Sequence, residues 1–160
     1  KHWKYSIEDL GFNFRLSDIN AALGLSQLKK INIFLSKRKE ASNLYTKHIR
    51  DNYNFITLPQ YSKKINSGHH LFVVHIDFKK LKVTKDQLFS FLLKKKIFIQ
   101  YHYIPQYYFK VLNNNLIKNQ KFYGAEKFYN SALSLPIYPY LKNKEIIYIL
   151  ESVKKFISKK

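Results

Sequence analysis

Apolar residues recur at a helical spacing through the opening part of the chain. From Ser17 towards Ile49 they return every three or four positions, and Ser17 is a good N-cap with Asp18 at the positive end of the helix. Because this run is longer than an ordinary globular helix, we expect a break near residues 31–34. The pattern therefore predicts an opening helical region that covers residues 1–50.

After this region, short β-branched and aromatic runs alternate with helical segments. Three such runs predict strands: 54–58, 71–78 and 97–104. Thr84 and Gln87 have the spacing of a capping box, which marks the start of a helix. The predicted helices cover 84–96, 122–133 and 145–157. Few strands among several helices predict an α+β fold over residues 51–160, with a small, mostly antiparallel sheet packed by helices.

The charge of the chain suggests an anionic partner, but the composition offers a simpler explanation. Lys and Arg total 29 against 10 Asp and Glu, a formal net charge of +19 over 160 residues. A surplus of this size attracts polyanions and would suit a basic nucleic-acid-binding module. However, 26 of the basic residues are Lys and only three are Arg, and residues with AT-rich codons dominate the chain. Codon bias therefore explains most of the charge, and we expect no nucleic acid partner.

Several kinds of chemistry are excluded by residue types. Without Cys there is no disulfide framework, no thiolate zinc site and no cysteine nucleophile. The chain has no glycine-rich phosphate loop, no nucleophile elbow and no apolar run long enough for a membrane span. The pairs His69–His70 and His70–His75 each point to opposite faces of a predicted strand, so we expect no metal site.

The segment 101–108 is the densest group of polar aromatic residues. It lies at the end of a predicted strand, is interrupted by Pro105, and contains His102 with four tyrosines. Aromatic side chains that form hydrogen bonds at a strand end suit a ring-shaped polar ligand. A tyrosine-rich composition would also produce such a segment without any ligand.

The opening helix carries a family resemblance. The stretch LGFNFRLSDINAALGLSQL, residues 10–28, resembles the signature G-F/Y-N-F/Y-R-L/M-S/T-D/E-I/L-x-A-A-L-G of sugar-nucleotide aminotransferases of the DegT/StrS kind. Those are fold-type I enzymes that use pyridoxal 5'-phosphate. Further motifs of that family follow in the same order: His70–Val74, His102–Pro105, Ala125–Glu126 and Leu133–Pro136. Within that family, the residues of the signature most resemble those of the branch that aminates a UDP-linked 4-keto-6-deoxy sugar for the synthesis of pseudaminic acid, a surface glycan sugar.

The resemblance implies a role for individual residues. Asn13 would reach the cofactor phosphate of the neighbouring subunit across a dimer interface. Arg15 would lie near the anionic groups of the substrate or the glutamate donor, where the planar guanidinium suits a carboxylate or phosphate. Four side chains would line the sugar-nucleotide pocket: His102, Tyr103, Tyr107 and Tyr108. The first 50 residues would form an interdomain and dimer-interface region, and the remainder the small C-terminal domain of the enzyme.

The resemblance also implies that the Schiff-base lysine lies upstream of the signature, together with most of the cofactor contacts. No lysine here has that context, so we expect no catalytic residue in this chain and no activity from it alone. We expect a longer cytoplasmic protein that works as a homodimer on a sugar nucleotide and glutamate. Two alternatives remain open, an inactive remnant of a split gene and the basic nucleic-acid-binding module.

Overall fold

The computed structural model describes residues 12, 14–60, 65–108, 120 and 122–158, which fall into two compact units, residues 1–32 and 33–160. In the first unit, helix α1 covers Asp18–Leu28. Its N-cap is Ser17, as predicted, and the Ser17 hydroxyl accepts a hydrogen bond from the Asn20 backbone N–H at 3.3 Å. None of the residues of α1 is buried within the chain.

Helix α2 covers Ile31–Asn52, and its greater part belongs to the second unit. The two helices are separated at Lys29–Lys30, just ahead of the predicted break. Ala41, Tyr45 and Ile49 of α2 are buried in the core of the second unit. The compact second unit therefore begins well before residue 51.

The second unit contains a three-stranded antiparallel sheet in the order β1-β2-β3. Strand β1 covers Ile56–Thr57, β2 covers Phe72–Ile76 and β3 covers Ala132–Leu135. Ile56 pairs with Ile76, and Val74 pairs with Leu133. The α+β class with a small antiparallel sheet is confirmed.

Three further helices complete the described part of this unit: α3 (Lys85–Lys94), α4 (Tyr123–Ser131) and α5 (Asn143–Ile157). The predicted capping box opens α3, because Thr84 and Gln87 exchange backbone-to-side-chain hydrogen bonds, both at 3.1 Å. Helix α3 packs against α5. No helix in the described ranges is long and apolar enough to cross a membrane.

The main core lies between the helices and one face of the sheet. Phe72, Val74 and Ile76 alternate along β2 and are buried. The Tyr45 ring of α2 stacks on Phe72 with centroids 4.6 Å apart, and its hydroxyl donates to the Pro136 carbonyl at 2.9 Å. These contacts join α2 to the sheet and to the chain that leaves β3.

Two predicted elements differ from the structure. The predicted helix 122–133 ends at Ser131, and the next four residues form strand β3, because all four are buried and pair with β2. The predicted strand 97–104 is not formed, although Ile97 and Ile99 are buried as a strand pattern requires. Within this segment only Gln100 pairs, in an isolated bridge to Ser134. An alternating pattern of apolar residues shows which side chains are buried, but it does not show whether a neighbouring strand is present to pair with.

Candidate functional site

The segment Gln100–Tyr108 begins beside strand β3 and is fastened to it at one residue. Gln100 and Ser134 exchange two backbone hydrogen bonds, at 3.2 and 2.9 Å. Two residues further on, His102 Nδ1 lies 2.8 Å from the hydroxyl oxygen of the buried Ser134. The bridge and the side-chain hydrogen bond together fix the position of the His102 ring at the edge of the sheet.

Tyr103 follows His102 and is open to a ligand. Its ring meets the His102 ring edge to face, with centroids 4.7 Å apart and planes at 84°. Tyr103 is 74% exposed, which leaves its side chain accessible. The pair therefore offers one anchored imidazole and one accessible phenol.

Tyr107 and Tyr108 lie in a 3-10 turn at Gln106–Tyr108, and both are directed to one carboxylate of α4. The Tyr107 hydroxyl donates to Glu126 Oε1 at 2.8 Å, and the Tyr108 hydroxyl donates to both Glu126 oxygens at 2.7 and 2.6 Å. Desolvation and the hydrogen bond to Glu126 raise the pKa of Tyr107 to about 12. The same hydrogen bond raises the pKa of Tyr108, so both phenols stay protonated at neutral pH.

A lysine supports the start of the segment. Lys85, the first residue of α3, donates from Nζ to the backbone carbonyl of Tyr129. Its Nζ lies 4.5 Å from the centre of the Tyr101 ring and 5.0 Å from that of Tyr129, within cation–π range. Burial lowers the pKa of Lys85 and raises that of Tyr101 to about 12. Lys85 thus joins α3, α4 and the segment through one ammonium group.

Four of the six predicted site residues lie on the segment Gln100–Tyr108. His102, Tyr103, Tyr107 and Tyr108 lie on this one segment, with contacts to β3 and α4. Arg15 lies just before α1 in the first unit and is exposed. Asn13 lies outside the described residues.

Sequence reasoning missed the residues that hold these side chains in place. Ser134 and Glu126 both stand in quoted motifs, so the motifs could have pointed to them as supports. Lys85 and Tyr129 have no such signal, because a lone lysine in a lysine-rich chain is indistinguishable from a solvated one. Only the contacts of Lys85 with Tyr129 and Tyr101 in the folded chain reveal their role.

The segment does not by itself fit the phosphate of pyridoxal phosphate. A phosphate group needs hydrogen-bond donors or positive charge, whereas the protons of Tyr107 and Tyr108 are already donated to Glu126. The Glu126 carboxylate would also repel the phosphate. The arrangement instead suits an uncharged polar part of a ligand, such as a sugar ring.

The chain belongs to the DegT/DnrJ/EryC1/StrS aminotransferase family, whose profile matches residues 1–154. It is 35% identical to UDP-4-amino-4,6-dideoxy-N-acetyl-beta-L-altrosamine transaminase of Campylobacter jejuni over 162 residues, with 96% of this chain and 42% of that protein covered. It is 29% identical to GDP-perosamine synthase of Escherichia coli O157:H7, with 99% and 41% covered.

The fold is shared with solved structures of this family. PseC of Helicobacter pylori, an aminotransferase involved in the biosynthesis of pseudoaminic acid, superimposes with a TM-score of 0.82 at 31% identity. That match covers 100% of this chain and 42% of PseC. The chain therefore spans about two fifths of the length of these relatives. It shares the family and the fold of pyridoxal phosphate-dependent sugar aminotransferases over that portion.

Proposed function

We propose that the chain is the C-terminal part of an aminotransferase that moves an amino group from glutamate to a UDP-linked 4-keto-6-deoxy sugar. The observation that carries the proposal is the anchored His102 beside the accessible Tyr103, in a chain that belongs to this family. UDP is preferred over other nucleotides because the similar Campylobacter jejuni and Helicobacter pylori proteins are named for a UDP-linked amino sugar, each at 35% identity.

In this proposal the His102–Tyr103 pair lines the sugar-nucleotide pocket, and Tyr107 and Tyr108 complete its wall. Arg15 binds an anionic group of the sugar nucleotide or of glutamate, since a guanidinium matches a carboxylate or phosphate in a two-point hydrogen bond. Pyridoxal phosphate supplies the electron sink for amino transfer, and most of its contacts lie in a large domain outside this chain.

We also propose that the whole protein is a homodimer, with residues 1–50 at the interface and between domains. Leu25 and Leu28 lie three positions apart on one face of α1 and are both more than half exposed within this chain, and such an apolar surface suits a partner of matching chemistry. Asn13 precedes that helix and would reach the cofactor phosphate of the other subunit. Residues 51–160, together with the part of α2 that is buried in the same core, would then form the small domain.

The test uses the reading frame that contains this chain together with its upstream coding sequence. The purified protein is incubated with pyridoxal phosphate, glutamate and a UDP-, GDP- or dTDP-linked 4-keto-6-deoxy sugar. We expect an amino sugar by mass spectrometry, equimolar 2-oxoglutarate, and the highest kcat/KM with the UDP-linked sugar. A protein with an upstream lysine that shows neither pyridoxal absorbance nor amination of any of these sugars contradicts the proposal.

Variants of the anchored pair test the placement of the pocket. Tyr103→Phe removes one hydroxyl, and Ser134→Ala releases the His102 ring, so we expect each to raise KM for the sugar nucleotide by about 5- to 10-fold. The matched control is Tyr140→Phe, because Tyr140 is also largely exposed, at 66%, and lies in the turn before α5. If Tyr103→Phe and Tyr140→Phe change KM for the sugar nucleotide by the same factor, Tyr103 does not line the pocket.

The alternatives give different results. An inactive remnant requires a stop codon or frameshift immediately upstream of the chain, which genome sequencing would reveal. A nucleic-acid-binding module requires affinity for DNA or RNA that falls steeply with added salt. The chain by itself is expected to form no stoichiometric borohydride-trapped pyridoxal adduct at a single lysine, because the family lysine lies upstream.

A further inference from the structure

The hydrogen bonds of Tyr107 and Tyr108 to Glu126 determine whether these hydroxyls can donate to a ligand or only accept from it. The Glu126 carboxylate accepts from Tyr107 at 2.8 Å and from Tyr108 at 2.7 and 2.6 Å. Each phenol has one proton, and an ionised carboxylate can only accept. The two hydroxyls therefore have no proton left for a ligand and present only their oxygen lone pairs.

The surroundings hold this arrangement in place. Glu126 lies in the first turn of α4. The Tyr107 ring stacks on Phe122 with centroids 4.8 Å apart and planes at 22°. The Tyr108 ring meets Tyr129 edge to face at 5.9 Å. Because both rings are packed on one side, neither hydroxyl can turn far from Glu126 without losing these contacts.

We propose that Glu126 is a positioning residue that makes Tyr107 and Tyr108 hydrogen-bond acceptors, and so selects a sugar nucleotide that offers them a hydroxyl or an amide N–H. This inference rests on the proposed function and names the part of the substrate that this wall recognises. A phosphate oxygen would face two acceptors and a carboxylate, so the diphosphate of the substrate binds elsewhere.

The test compares hydrogen-bond donors on the substrate in the full-length protein. The UDP-linked 4-keto sugar is prepared with each ring hydroxyl in turn replaced by fluorine, and with any acylamino nitrogen replaced by oxygen, since neither substitute can donate. For the wild type, we expect one of these analogues to have a KM raised by about 5- to 10-fold, with kcat changed by less than about 2-fold.

Glu126→Gln should remove most of that discrimination. The side-chain amide introduced by this substitution would donate to one phenol oxygen, which frees the proton of that phenol for the analogue. The penalty for the same analogue should then fall below about 2-fold. The matched control is Glu40→Gln, because Glu40 is an exposed residue of α2 paired with Lys37 at 3.0 Å. It should keep the wild-type discrimination.

Other outcomes overturn the inference in distinguishable ways. If the wild type aminates the sugar but Glu126→Gln keeps the same analogue profile, only the role of Glu126 is refuted. The half-reaction with glutamate contains no sugar, so a loss there as large as in the full reaction shows general damage and also refutes it. If Glu126→Gln does not fold, Tyr107→Phe and Tyr108→Phe replace it, and one of them must abolish the discrimination. A wild type that aminates no sugar removes the proposed function and this inference together.

Discussion

The neighbouring residues Ile146 and Ile147 on α5 allow a stringent test of the core. Ile146 is completely buried, whereas Ile147 is 39% exposed. Both can be changed to Ala on the same helix, so the change in helix propensity, about 0.4 kcal/mol in favour of Ala, is the same at the two positions. Any difference in stability therefore comes from burial and packing.

The magnitude follows from the atoms that are removed. Ile→Ala deletes three carbons, and at about 0.8 kcal/mol per buried methylene the transfer contribution at Ile146 is about 2.4 kcal/mol. Ile146 lies in the core to which α3 and α5 both contribute, so a cavity adds to this, and we expect a total loss of about 3–4 kcal/mol. At the partly exposed Ile147 solvent fills the space, and the expected loss is about 1 kcal/mol.

The assay is urea unfolding of the 160-residue chain followed by far-ultraviolet circular dichroism. We expect Ile146→Ala to lower the free energy of unfolding by about 2–3 kcal/mol more than Ile147→Ala, with unchanged m-values. Losses that agree within about 0.5 kcal/mol would mean that α5 does not bury this face, and the described packing of α3 against α5 would be wrong.

Three further changes test other parts of the structure. Thr84→Ala should cost about 1–2 kcal/mol in urea unfolding because it removes the capping box of α3, and Thr84→Ser should restore most of it. Tyr45→Phe should cost about 1–2 kcal/mol in the same assay, since the Pro136 carbonyl loses its donor, and an unchanged midpoint would refute that hydrogen bond. The pKa values of Tyr101 and Tyr107 are raised from 10.0 to about 12, so the folded state favours the protonated phenols. Their contribution to stability is complete below pH 10 and is lost as the pH rises towards 12. Between pH 9 and 12 the urea midpoint of the double variant with Phe at both positions should therefore fall less than that of the wild type. The same decrease with pH in both proteins would contradict the raised pKa values.

Elements with a strong local signal could be predicted from the sequence. The Ser17 cap of α1 and the Thr84–Gln87 box of α3 depend on hydrogen bonds between residues only three positions apart. The helical spacing of α5 likewise lies within its own 15 residues. Because these interactions are local, the amino-acid order is sufficient to find them, and the structure differs only by a few residues at their ends.

Elements that depend on distant partners were predicted less well. Residues 132–135 are all buried, and nothing in them distinguishes a helix end from a strand until β2 is placed alongside. Residues 97–104 have the alternation of a strand, yet they pair with β3 only through Gln100. In both cases the hydrogen-bonding neighbour lies more than 30 residues away in the chain, which a local pattern cannot report.

The sequence by itself determined the family, through ordered motifs, and the segment that carries His102, Tyr103, Tyr107 and Tyr108. The tertiary structure decided what those side chains can do. Ser134 fixes the imidazole and Glu126 takes the protons of two phenols, because β3 and α4 pack beside the segment. The type of a residue determines which hydrogen bonds its side chain can form. Which of those donors and acceptors remain free for a ligand depends on the neighbours that folding brings beside it.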